Sequence, residues 1–127
     1  MGERVALLKR KHRDLLVWQE SVELAVLVHR VTESFPKSET YGLTSQIRRA
    51  ASSVSANIAE GAGRTGTPEL LRFLSIASGS LSELDTHFEI AYRLGYIKNR
   101  DEIEAKTSQV FRLLTGLTAS LKRKDRD

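Results

Sequence analysis

The chain contains no cysteine, only two prolines and just three histidines. Without cysteine there is no disulfide, no thiolate nucleophile and no cysteine-ligated zinc or iron–sulfur site. That composition fits a reducing, cytoplasmic setting. With so little proline, and eight glycines among 127 residues, long regular elements are expected. No apolar run approaches the ~20 residues needed to cross a bilayer. The opening MGERVALLKRKHR has no unbroken apolar stretch and no small-residue cleavage site, so no secretory signal is read there. No segment alternates apolar and polar residues with period two, so no sheet is expected.

What remains is the composition of one globular domain, 40% hydrophobic and 28% charged. The formal net charge is +4, but it is unevenly spread. Residues 1–13 carry Arg4, Lys9, Arg10, Lys11 and Arg13 against Glu3 alone, a net +4. Residues 122–127 carry four cations against two aspartates, a net +2, so the body 14–121 sums to −2. The chain therefore divides into a basic N-terminal arm (1–13), a folded body (14–121) and a charged C-terminal tail (122–127). Basic arms of this kind either bind polyanions or are simply solvated. Val5, Ala6, Leu7 and Leu8 form too short an apolar run for firm membrane attachment, so no membrane partner is expected.

Apolar residues recur every three or four positions in four segments, which predicts four helices. The first spans residues 15–34, with Val17, Leu24, Val28, Val31 and Phe35 in one stripe, Asp14 as N-cap and Pro36 as terminator. The second runs from about residue 43 to 62. The third starts at Thr67-Pro68, read as hydroxyl cap and first-turn proline, and ends at Gly95. Its inward stripe is Leu70, Phe73, Leu74, Ala77, Leu81, Leu84, Phe88, Ala91 and Leu94. Gly79 sits in mid-helix, where a close backbone crossing or a kink would explain it. The fourth opens with a capping box, Asn99 with Glu102, and turns Ile103, Val110, Leu113, Leu114, Leu117 and Leu121 inward. Short connections predict an all-α, antiparallel up-down-up-down four-helix bundle.

The second helix has two faces. Leu43, Ile47, Ala51, Val54, Ile58 and Ala62 form a core stripe. Beside it run Gln46, Ala50, Ser53, Asn57, Glu60 and Arg64, small or polar throughout. Small side chains let another backbone come close, with Asn57 and Glu60 bonding across the contact. A helix facing two partners in a small chain predicts packing within the bundle and between subunits. Glu60, near the C-terminal end, is ill-placed for the helix dipole and calls for outside donors such as Tyr41, Arg48 or Arg49. Arg48 and Arg49 point about 100° apart around the helix. One is expected in an ion pair with Glu60 or Glu83, or facing a ligand in a ring whose symmetry multiplies its charge.

Catalytic readings find little support. Gly61 to Gly66 matches G-x-G-x-x-G, but a helix precedes it and no strand surrounds it, so it is a turn rather than a dinucleotide site. Its position before a helix N-terminus, beside Arg64, leaves an anion site as the weaker reading. The pairs Glu83–His87 and His29–Glu33 are spaced by four, whereas di-iron bundles use three with further glutamates, so no metal is expected. No serine has a histidine placed to activate it. No enzyme and no cofactor are predicted.

The segments DLLVWQESVELA, FPKSETYGLTSQIRRAASSVSANIAEGAGR and RFLSIASGSLSELDTHFEIAYRLGYI resemble a family of small four-helix-bundle proteins. It is the family related to proteins encoded in 23S rRNA intervening sequences and to the accessory variability protein of diversity-generating retroelements. The resemblance covers residues 14–121 and is most specific in YGLTSQIRRA and NIAEGAGR. It implies an antiparallel four-helix bundle assembling into a ring-like homo-oligomer, commonly a homopentamer. It also implies RNA or DNA binding by a basic surface. Arg48, Arg49, Asn57, Glu60, Gly61 and Arg64 are its typical positions. Candidate nucleic-acid contacts are thus Arg48, Arg49, Arg64, Lys9, Arg10, Lys11 and Arg13. Candidate structural or interface residues are Gln46, Ser53, Asn57, Glu60, Gly61 and Gly79. The retroelement accessory is strongly basic, whereas this body is slightly acidic, so binding would rest on the arms. A partner protein with no nucleic-acid ligand is the alternative.

Overall fold

The computed structural model describes residues 10–126. Among the described residues there are four α-helices, two short 3-10 turns and no strand. The helices are α1 (Leu16–Thr32), α2 (Leu43–Gly63), α3 (Thr67–Arg93) and α4 (Asp101–Arg126). One 3-10 turn, Lys11–Asp14, precedes α1, and the other, Lys37–Glu39, lies between α1 and α2. Lys122, Arg123 and Lys124 continue α4 rather than leaving it. Among the described residues, no helix is long and apolar enough to cross a membrane.

The apolar stripes meet in one core. Val17, Leu24 and Val28 of α1 join Ile47, Ala51, Val54 and Ile58 of α2, Leu74, Ala77, Leu81, Leu84 and Phe88 of α3, and Ile103, Val110 and Leu114 of α4. Burying each large aliphatic side chain stabilises the fold by roughly 1.5–3 kcal/mol. Leu94 departs from its expected place and is 55% exposed. The cause is the chain reversal after α3. Gly95 takes φ +82°, its N–H bonds Tyr92 O, and the Tyr96 N–H bonds Ala91 O, a Schellman motif. That motif swings Leu94 outward and delivers Ile97 to the core, with Tyr96 packing partly against it.

The helix starts differ from the sequence reading. Asp14 lies inside the 3-10 turn, and Leu15 occupies the N-cap position of α1 without a side-chain cap. Gly66, at φ +89°, precedes α3, so Thr67 is the first helical residue rather than the cap. Asn99 accepts from the Asp101 N–H at 3.0 Å, two residues on, so it forms an Asx turn instead of the expected capping box.

Polar ties also join the elements. Lys106 of α4 donates to Glu20 at 2.6 Å and Glu23 at 3.0 Å on α1. The hydrogen bond to Glu20 and then that to Glu23 raise the Lys106 pKa, while the bond from Lys106 lowers that of Glu23. Tyr96 donates to Glu39 Oε2 at 2.9 Å, and Glu39 Oε1 accepts the Leu43 N–H that opens α2. One carboxylate thus caps α2 and holds the α3–α4 connection. Arg100 and Arg93 both donate to Glu89, and Arg100 also lies over the Tyr92 ring at 3.9 Å.

Candidate functional site

Ile47 is fully buried, so its two successors leave the core on different bearings. Arg48 leans onto α1. Its Nε donates to Thr32 Oγ1 at 2.9 Å and its Nη2 to the His29 carbonyl at 3.3 Å. The last carbonyls of a helix lack intrahelical donors, and an arginine supplies them while offsetting the dipole's negative end. Arg48 is therefore a brace between α2 and the end of α1, not the partner of Glu60 or Glu83 that its charge suggested. Arg49 is exposed and holds no hydrogen bond or ion pair among the described residues. It separates two hollows. One, of about 320 Å³, is lined by Gln46, Arg49, Ala50, Ser53 and Glu83, on the α3 side. The other, of about 470 Å³, is lined by His29, Arg48, Arg49, Ser52 and Ser53, on the α1 side.

The middle of the small face of α2 packs on α3. Ser53 Oγ shares a hydrogen bond with Ser80 Oγ of α3 at 2.8 Å. Asn57 Nδ2 donates to the Ser53 carbonyl at 2.8 Å and to Ser53 Oγ at 3.0 Å, within its own helix. Glu60 accepts from Arg64 at 2.7 Å, one turn on, and Arg64 also lies 5.3 Å from the Phe73 ring centre. Within the chain, Asn57 bonds only inside α2 and the exposed Glu60 bonds only Arg64, while α2 and α3 approach closely near the end of α2. Gly61 marks that approach: a Cβ there would sit 2.8 Å from Phe73 Cβ and 3.3 Å from the Leu70 carbonyl oxygen. Gly79, for which a close crossing or a kink was expected, has nothing within 4 Å of where its Cβ would be, so no close crossing occurs there within the chain. Gln46 is exposed. On α3, Ile76 (41% exposed), Ile90 (43%) and Leu94 recur at helical spacing with Ser80, Glu83 and His87 between them, beside this face of α2.

The basic ends form a third region. Arg10, Lys11 and Arg13 are exposed in and before the first 3-10 turn, where Arg13 lies 5.3 Å and His12 4.9 Å from the centre of the Trp18 ring. Lys9 lies outside the described residues. Leu15, Leu16 and Val17 share a hollow with Leu113, Gly116 and Leu117, so the start of α1 lies beside the middle of α4. From Leu117, Lys122 to Lys124 lie about 8–10 Å farther along the same helix. Both basic stretches therefore lie toward the same end of the bundle, the 3-10 turn packing on α1 and α2, on a body whose own charge is −2. Sequence reasoning identified the two stretches but had no signal for their convergence, which depends on the tertiary path. It also passed over His29 and Ser52, whose role in a hollow appears only when α1 and α2 are side by side.

Other chemistry is sparse. His87 Nε2 stands 3.4 Å from Glu83, and His29 Nδ1 donates to the Ala25 carbonyl at 3.0 Å. Among the described residues, no three His, Cys, Asp or Glu side chains cluster as a metal site.

Comparison with known proteins gives two findings. A family model described as 23S rRNA-intervening sequence protein matches residues 13–116. The fold is similar to the crystal structure of a protein with unknown function from the S23 ribosomal protein family of Bacteroides thetaiotaomicron. The TM-score is 0.74 at 22% identity, over 82% of this chain and 96% of that one. No curated protein matches the chain significantly.

Proposed function

We propose that this chain, which belongs to the 23S rRNA-intervening sequence protein family, works as a non-enzymatic cytoplasmic homo-oligomer that binds structured RNA or DNA through phosphate contacts. Each subunit is an antiparallel up-down-up-down bundle. The brace from Arg48, early in α2, to Thr32, at the end of α1, supports that direction, as do Leu16 beside Leu113 and Leu117 and, farther along α1, Glu20 and Glu23 beside the earlier Lys106 of α4.

The observation that carries the nucleic-acid reading is the convergence of Arg10, Lys11 and Arg13 with Lys122, Arg123 and Lys124 on one pole. Like charges gathered at one end raise the local potential toward a polyanion, whereas the acidic body opposes contact elsewhere. The apolar residues Ile76, Ile90 and Leu94, beside the small face of α2, support assembly through that side. A ring of five, as the family resemblance suggests, sets the basic poles on one rim, because cyclic symmetry turns every subunit the same way. Helices without a base-reading element give binding that is indifferent to sequence.

The test is fluorescence anisotropy of a labelled RNA duplex across a salt series. Affinity is expected to fall steeply, log K by ~0.9 per log unit of salt for each phosphate contacted. Neutralising Lys122, Arg123 and Lys124 with glutamine flattens that slope. Undetectable binding at low salt removes the reading. A second reading, a protein-interaction scaffold, is favoured by the apolar hollow of about 280 Å³ between α1 and α4, where Leu16 is 53% exposed. Recovery of one defined protein partner, free of nucleic acid, would decide for it.

A further inference from the structure

The hollow between α1 and α2 is lined by polar side chains alone. Its lining is His29, Arg48, Arg49, Ser52 and Ser53. The His29 Nδ1 donor is used on the Ala25 carbonyl, and the Ser53 hydroxyl bonds Ser80 and Asn57. The donors the hollow offers therefore come from Arg49, Ser52 and the remaining guanidinium N–H groups of Arg48. No carboxylate lines it. Elsewhere on the body several cations are paired, Arg64 with Glu60, Arg72 with Glu69, Arg93 and Arg100 with Glu89, Lys106 with Glu20 and Glu23, whereas Arg30, Lys37, Lys98 and Arg112 form no ion pair among the described residues. Arg49 likewise forms no ion pair among the described residues; it shares the other hollow with Glu83, which stands 3.4 Å from His87.

The two arginines divide the work. Arg48 is fixed by two hydrogen bonds to Thr32 and His29, so its guanidinium is held in place and cancels the partial negative charge at the end of α1. Arg49 is left free to present its fork to a ligand. A planar guanidinium with hydroxyls alongside matches the tetrahedral oxygens of a phosphate. On a body with net charge −2, general attraction does not retain an anion here, so a local arrangement of donors is what selects it.

We propose that this hollow is a discrete phosphate-binding site, with Arg49 as the principal contact, Ser52 as a second donor and Arg48 as the residue that positions the groove. It is distinct from the basic pole, because Arg48 and Thr32 lie where α1 ends and α2 begins, whereas the pole lies where α1 begins and α4 ends. The phosphate belongs either to a nucleic-acid backbone or to a small phosphorylated ligand.

Arginine side-chain NMR of the full-length protein separates these cases. Inorganic phosphate and a short RNA duplex are titrated in turn while the Nε–Hε signals are followed. The expected result is a saturable shift of the Arg49 signal with phosphate, weaker in Ser52→Ala and unchanged in Arg112→Gln; in Arg49→Gln, which lacks that signal, phosphate affinity read at the Arg48 signal falls ~10-fold. A shift with phosphate that duplex displaces assigns the site to the backbone. A shift with phosphate alone, in a protein that binds no duplex, keeps the site for small phosphorylated ligands while the nucleic-acid reading fails. No shift at Arg49 with either ligand overturns the proposal. It does so even if the duplex still binds, and that binding would then reside at the pole. Far-ultraviolet circular dichroism of each variant confirms that the helices are retained.

Discussion

Gly61 and Gly79 both interrupt good helix-forming sequence, and the structure predicts opposite outcomes for alanine at the two positions. At Gly61 the added methyl would lie 2.8 Å from Phe73 Cβ, 3.1 Å from Leu70 Cδ1 and 3.3 Å from the Leu70 carbonyl oxygen. Leu70 Cδ1 can rotate away, but Phe73 Cβ and the carbonyl belong to the α3 backbone frame, so the helices must separate. Overpacking of this kind costs ~1–3 kcal/mol. Helix propensity returns at most ~1 kcal/mol, and less in the last turn of α2. Gly61→Ala is therefore expected to lose about 1–2 kcal/mol net. For a chain of this size that is a fall of roughly 3–10 °C in Tm. At Gly79 nothing lies within 4 Å, so alanine recovers ~0.5–1 kcal/mol and raises Tm by roughly 2–5 °C. Thermal and urea unfolding followed by circular dichroism, at matched protein concentration, measures both. A Gly61→Ala protein as stable as the wild type, or more so, would refute the close approach of α2 and α3.

Lys106→Met leaves Glu20, whose side chain is only 17% exposed, without its cation, and is expected to cost ~1–2 kcal/mol in urea unfolding. Tyr96→Phe removes the donor to Glu39 and lowers the urea midpoint with little change in m, since the core around Phe35 and Ile97 is kept. Hydrogen bonds to Glu23, Glu69 and Glu89 from Lys106, Arg72 and Arg93 respectively lower their pKa values in the folded state. The unfolded chain therefore binds more protons in the acid range. The stability these glutamates contribute is complete above the ordinary glutamate range and is lost as pH falls through and below it, measured as the urea midpoint against pH.

Much of the fold was legible because it is local. Helical spacing of Ile47, Val54 and Ile58, or of Ala77, Leu81 and Leu84, is enough to place a core face. Gly95 after a long apolar stripe marks a helix end. What escaped the sequence was set by tertiary partners. Lys106 and Glu20 are separated by 86 residues, so no periodicity joins them. Arg48 found a hydroxyl and a carbonyl where a carboxylate was expected, since only the packed bundle places the end of α1 within its reach. Gly61 and Gly79 look alike in sequence, and which one marks a crossing depends on the face that each turns to α2 or α3. For the site, the sequence pointed to Arg48 and Arg49 but not to the hollow they border with His29 and Ser52.

The most direct measurement is the native mass of the particle in the presence of an RNA duplex, at low and at raised salt. Several identical subunits carrying duplex at low salt, with the duplex released as salt rises and the subunits still together, is the outcome this account predicts. A lone 14.2 kDa chain with no nucleic acid attached at low salt would contradict it.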